Sequence, residues 1–152
     1  MKFINVKDNK ELLREYIKLC SLEWGCEKTD EEMEQYINEK EYRILNEDKV
    51  INIIGLMDND EMIGFISLFK YDGDECRELT PWYATMYVKK EYRGNGYSKI
   101  LNDELLRQTK EMGYDKLYLK SELENYYEKF GAKYIKMLEN GEKLYYIDLE
   151  EV

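Results

Sequence analysis

The sequence predicts a mixed α/β domain, with one layer of sheet and helices on its faces. Three observations carry that expectation. Short apolar, β-rich runs alternate with longer runs of helical periodicity. Their order reads β-α-α-β-β-β-α-β-α-β-β, which buries best as a mixed, mostly antiparallel central sheet flanked by helices. The 152 residues, 43% hydrophobic and 14% aromatic, suit one domain over 1–152 with a real core.

Residues 3–6 make a short first strand. Asp8 or Asn9 caps a helix over 10–23, with Leu12, Leu13, Tyr16, Ile17 and Leu19 as its apolar stripe, and Trp24-Gly25 ends it. Thr29 and Glu32 form a capping box for a second helix to about residue 41, with Met33, Tyr36 and Ile37 on one side. Residues 51–57 and 62–69 are strands that Asp58-Asn59-Asp60 turns into a hairpin. Gly64 in mid-strand signals a bulge or a close backbone approach. Residues 71–79 form a polar loop, with Asp72-Gly73-Asp74 as a turn. Thr80-Pro81-Trp82 opens a strand to Val88; proline at a strand's start loses little.

A helix over 99–112 follows, with Ile100, Leu101, Leu105, Leu106 and Met112 facing the sheet and Gly113 as its stop. Residues 116–120 are a strand. Ser121 or Glu122 begins another helix, over 123–130, which Gly131 ends. Residues 134–137 and 144–149, either side of Asn140-Gly141, read as a terminal hairpin.

Composition removes several kinds of chemistry. The chain has no histidine, so a Cys/His zinc site, a histidine base and a serine–histidine triad are excluded within it. No metal is expected. Cys20, Cys26 and Cys76 are odd in number without paired spacing, and read as reduced thiols in a cytoplasmic protein. A net charge of −10 argues against nucleic-acid binding and against docking on anionic membranes. No apolar run approaches membrane-spanning length, and no signal-peptide pattern opens the chain. Against that acidic background Lys89, Lys90, Arg93 and Lys99 stand out.

Those cations flank the stretch Arg93-Gly94-Asn95-Gly96-Tyr97-Ser98, set between a strand and a helix. Such a junction makes an anion site: the first helical N–H groups have no intrahelical partner, and the dipole adds positive charge there. Glycines let a phosphate approach the backbone, and an arginine can fork onto its oxygens. The dinucleotide fingerprint needs a third glycine where Lys99 stands, and the Gly-Lys-Ser/Thr ending of the phosphate loop is absent.

The pattern Arg-x-x-Gly-x-Ser, Arg93 to Ser98, resembles the pyrophosphate-binding motif of the GNAT N-acetyltransferase superfamily, Arg/Gln-x-x-Gly-x-Gly/Ala, departing from it at Ser98. The resemblance extends over Pro81-Trp82, Gly113-Tyr114, the strand 116–120 and Tyr127-Glu128-Lys129-Phe130-Gly131. It implies a GNAT acyl-CoA N-acyltransferase fold, acetyl-CoA as cosubstrate and a primary amine as acceptor, either a small molecule or a peptide. It further implies direct transfer in a ternary complex. The pyrophosphate would lie on Arg93, Gly94, Asn95, Gly96, Tyr97 and Ser98. The pantetheine arm would pair with the backbone of Met86, Tyr87 and Val88, and Asn125 falls near positions that bond the pantetheine or adenosine portion. Tyr127 occupies the family's usual place for the acid that protonates the leaving thiolate. Many members carry a glutamate on the strand before the loop; here 81–86 holds no acid, so Glu78 and Glu122 are the candidate bases, beside a base acting through water.

Glu23, Glu27, Asp30, Glu31, Glu32 and Glu34 on the first two helices read mainly as a solvated face, with a slight tilt toward a cationic acceptor. Homodimers are common in the superfamily. The alternative function is an acyl-CoA-binding module without turnover.

Overall fold

Apolar residues fill nearly every position of the two longest strands, so both of their faces must be covered. A computed structural model, which describes residues 1–73, 75–123 and 125–152, shows how. Strands β1 (Lys2–Asn5), β2 (Val50–Asp58), β3 (Glu61–Phe69), β4 (Trp82–Val88), β5 (Lys116–Ser121), β6 (Ala132–Met137) and β7 (Lys143–Asp148) form one sheet in the order β1-β2-β3-β4-β5-β7-β6. Every pairing is antiparallel except β4 with β5.

Helices α1 (Lys10–Trp24) and α2 (Asp30–Asn46) cover one face, and α3 (Tyr97–Glu111) covers the other. On the first face Leu13, Ile17, Ile37 and Ile44 pack against Ile53, Met57 and Phe65. On the second, Leu101, Leu105 and Leu106 pack against Ile54, Ile66 and Leu68. Each fully buried aliphatic side chain contributes about 1.5–3 kcal/mol relative to exposure, so these two layers dominate the stability of the sheet.

The helix starts follow their local chemistry. Asn9 accepts the Leu12 N–H at 3.0 Å, and Thr29 and Glu32 complete the expected capping box. The second helix runs five residues past the expected end at 41 because Ile44 adds another buried apolar turn. Gly64 marks a close approach, as its mid-strand position suggests. A Cβ there would lie 2.8 Å from the Tyr87 carbonyl and 3.1 Å from Leu101 Cδ1.

One element departs from expectation. The stretch 123–130 is not an α-helix; only Tyr127–Phe130 forms a 3-10 turn. Ser121 Oγ accepts the Leu123 N–H at 3.0 Å, and Asn125 takes a left-handed conformation (φ 57°), which interrupts any helix before Gly131 can end it. So short a segment sustains no helix without tertiary packing of its own. Asp74, in the expected turn, and Glu124, in the expected helix, lie outside the described residues.

Candidate functional site

The site begins with an irregularity in β4. Opposite β3 the register passes from Ser67↔Ala84 to Phe65↔Tyr87, so Thr85 and Met86 together face Ile66. This is a bulge, and Thr85 at its start has φ 31°, a strained backbone for a β-branched residue. A hydroxyl cluster holds it: Tyr16 Oη lies 2.8 Å from Ser67 Oγ and 3.2 Å from Thr85 Oγ1, and the Thr85 and Ser67 hydroxyls are bonded to each other. Burial pushes the Tyr16 phenol well above its ordinary pKa, so it takes part as a neutral hydroxyl.

The bulge re-aims the strand. β4 pairs with β5 only at Trp82↔Tyr118, where Tyr118 N donates to the Pro81 carbonyl at 3.0 Å, and beyond that point the two strands part. Lys89 N donates to Ile63 O at 2.8 Å, so by strand alternation the Val88 N–H and C=O face away from β3, into the gap. Arg93 Nε donates to that Val88 carbonyl at 2.8 Å, which confirms the direction.

The gap leads to the glycine loop. Gly94 and Gly96 have φ of 83° and 81°, values that glycine alone adopts without strain. Asn95 Nδ2 donates to the Tyr92 carbonyl at 3.0 Å and braces the loop from outside. α3 starts at Tyr97, two residues earlier than expected, with Gly96 as its N-cap and no side chain capping it; the Tyr97 and Ser98 N–H groups in its first turn are thus open to an anion. A cavity of about 300 Å3 lies against this turn, lined by Met86, Val88, Arg93, Gly96, Ser98 and Tyr126 among others. Ser98 belongs to its wall, so the small hydroxyl leaves the cradle open. Of the four prominent cations only Arg93 lines it; Lys99 pairs with Asp103 at 2.6 Å, and Lys89 with Glu15 at 2.9 Å.

Met86 lines this cavity and also a second one, of about 460 Å3, at the bulge. Tyr127 lines that second cavity, with its ring edge-on to Tyr83 at 5.7 Å and to Tyr126 at 4.8 Å. Burial first, then the neighbouring Tyr126, raises the Tyr127 pKa, so the phenol holds its proton firmly at neutral pH. Tyr126, just before the 3-10 turn, lines the first cavity and Tyr127, its first residue, the second, so the two adjacent tyrosines serve different cavities.

Glu78 and Glu122 are both exposed and are absent from the walls of these cavities. The acidic residues that line the cavity with Tyr127 are Asp72 and Glu142, which sequence reasoning missed. Neither carries a local motif: a loop after β3 and the turn before β7 bring them in. Asn125 lines a separate cavity of about 370 Å3 with Glu128, Tyr134, Lys143 and Tyr145. Trp24, also missed, lines both the first and the second cavity and stands edge-on to Tyr87 at 6.3 Å. Its 53% exposure at the end of α1 is a property of the folded chain that the sequence does not display. Among the described residues no cluster of three metal-ligating side chains occurs.

The fold as a whole is similar to that of solved acetyltransferases. An aminoglycoside 6'-N-acetyltransferase complexed with coenzyme A is 19% identical, with 98% of this chain and 97% of that chain covered at a TM-score of 0.71. The aminoglycoside 6'-N-acetyltransferase from Enterococcus faecium is 17% identical (98% and 97% covered, TM-score 0.69). The PaiA N-acetyltransferase from Thermoplasma acidophilum, in complex with coenzyme A, is 18% identical (97% and 99% covered, TM-score 0.60). No curated protein matches the sequence. The model of the acetyltransferase (GNAT) family matches residues 13–132, and the chain belongs to that family.

Proposed function

We propose that the protein is an N-acetyltransferase that transfers the acetyl group of acetyl-CoA directly to a primary amine. The observation that carries this reading is that Met86, on the free edge of β4, lines both the anion cradle and the Tyr127 cavity. The coenzyme A present in two similar solved structures supports the donor.

Acetyl-CoA supplies the activated acyl group, and the chain's own residues do the rest. Arg93 and the N–H groups of Tyr97 and Ser98 hold the pyrophosphate, while Gly94 and Gly96 admit it to the backbone and Asn95 keeps the loop in shape. The exposed β4 edge at Met86 and Val88, with Tyr87 between them, pairs with the pantetheine amides as an added strand would. A backbone N–H on that edge stabilises charge developing on the thioester oxygen. As the new N–C bond forms, the C–S bond breaks. Tyr127 donates its proton to the departing thiolate, and the amine's proton leaves for a carboxylate, directly or through water. Asp72 and Glu142 are better bases than Glu78 and Glu122, because they share the cavity with Tyr127.

Calorimetry with acetyl-CoA, free CoA and ATP tests the donor site first. Micromolar binding of acetyl-CoA with weak ATP binding is the expected result; no binding overturns the reading. A Tyr127→Phe protein that binds acetyl-CoA normally yet loses no turnover would remove the acid, and binding without turnover on any amine would favour a non-catalytic module.

A further inference from the structure

The Tyr127 cavity shares Trp24, Phe69 and Thr85 with a third and larger cavity, of about 550 Å3, between α1, α2 and the adjoining ends of β2 and β3. Its floor is apolar, with Ile17, Ile44, Val50 and Phe69 among its residues. Its charge is opposite to that of the chain. Lys40, Arg43, Lys49 and Arg77 line it, with Glu47 as the one carboxylate, in a protein of net charge −10.

Several cations elsewhere are paired: Arg14 with Glu34 and Glu41, Lys70 with Asp48, and Lys89 with Glu15 and Glu61. Among the described residues, Lys40, Arg43 and Lys49 form no ion pair; Lys49 Nζ sits over the Phe69 ring at 5.3 Å. Lys40 and Arg43 stand one turn apart on α2 and reach the same wall. Burial, then repulsion from Lys49 and Arg43, lowers the Lys40 pKa, and the Glu47 carboxylate offsets this only in part. Cys20, also in the wall, offers no relief, since burial pushes its thiol up to about 12 and keeps it neutral. The six carboxylates at the N-terminal helices line none of this cavity.

We infer that the acceptor is a small amine with an apolar body and an anionic group, a carboxylate or a phosphate, which Lys40, Arg43 and Lys49 bind while the amine reaches past Thr85 to the Tyr127 cavity. The inference rests on the acetyl-transfer reading for its chemistry, but the anion site stands on the cavity alone. It reverses the tilt toward a cationic acceptor that the acidic helices suggest.

Turnover of acetyl-CoA, followed by loss of thioester absorbance because exposed Cys26 would react with thiol dyes, is compared for matched amines. The pairs are methionine with methioninamide and phosphoethanolamine with ethanolamine, with spermidine and kanamycin as polycations. The anionic member of at least one pair should exceed its neutral twin by about tenfold or more in kcat/KM, the scale of one charge-assisted contact. Lys40→Gln/Arg43→Gln should remove that advantage, mainly through KM, and leave the acetyl-CoA Kd unchanged. Preference for the polycations, or an unchanged preference in the double variant, overturns the inference while leaving acetyl transfer intact. Calorimetry of N-acetylmethionine against its amide decides the cavity separately from chemistry. Equal binding of the two overturns the anion site; binding of the acid alone, lost in the double variant, supports it even if acetyl-CoA fails to bind and the transferase reading falls.

Discussion

Arg93 ties the cradle to the strand. Its Nε–Val88 bond orients the guanidinium beside the first turn of α3, and its carbon lies 5.6 Å from the Tyr87 ring centroid. Arg93→Ala should weaken acetyl-CoA binding about tenfold or more, from the loss of about 1.5–3 kcal/mol of charge-assisted bonding. Calorimetry reads this directly, and an unchanged Kd would refute the phosphate assignment. Tyr127 gives a pH prediction. Its pKa is raised by burial, and for an acid the neutral form is the one burial favours, so the proton is retained through and above the ordinary value near 10. The alkaline fall of kcat should therefore be centred above pH 10, and Tyr127→Phe should lower kcat about a hundredfold and abolish that limb. A limb centred well below pH 10 would assign it to another group. Both residues were legible in the sequence because each lies in a contiguous motif. Asp72, Glu142 and Trp24 were not, because each is an ordinary loop, turn or helix-end residue until distant chain segments meet.

The element that shapes the site is the β3–β4 pair. Gly64 lets the Tyr87 carbonyl and Leu101 close on β3, with backbone only 2.8 Å from where a Cβ would stand. Gly64→Ala should destabilise the fold by about 1–3 kcal/mol, the usual cost of overpacking, as measured by urea denaturation. It should also weaken acetyl-CoA binding, because Tyr87 lies on the β4 edge. Wild-type stability in that variant would mean that the strands separate without cost. The glycine was visible in the sequence as a bulge or a close approach, and the structure has the close approach and a register shift beside it. The bulge at Thr85 was not, since threonine is a favourable strand residue and its left-handed φ is imposed by pairing and by the Tyr16–Ser67 hydroxyls. The stretch 123–130 failed in the opposite direction. Its composition suits a helix, but the chain must turn at Asn125 to bring Tyr127 under β4.

For the whole molecule, three cavities each take lining from β4, and Trp24 borders all three. The other tryptophan, Trp82, is fully buried and donates its Nε1–H to the Leu79 carbonyl at 2.8 Å. Acetyl-CoA should therefore change the intrinsic tryptophan fluorescence through Trp24 alone, and Trp24→Phe should abolish the change in a titration. A signal that survives in that variant would place the donor elsewhere or show motion around Trp82.

The sequence by itself determined the strand–glycine loop–helix unit, the hairpins and the two-faced sheet, because these follow from contiguous periodicity, capping and glycine conformation. Tertiary structure alone decided the opening between β4 and β5, the acidic residues that line the cavity with Tyr127 and the basic wall of the third cavity. Those depend on strand register and on which side chains from α1, α2 and the loops converge, and such non-local packing leaves no period or spacing in the chain.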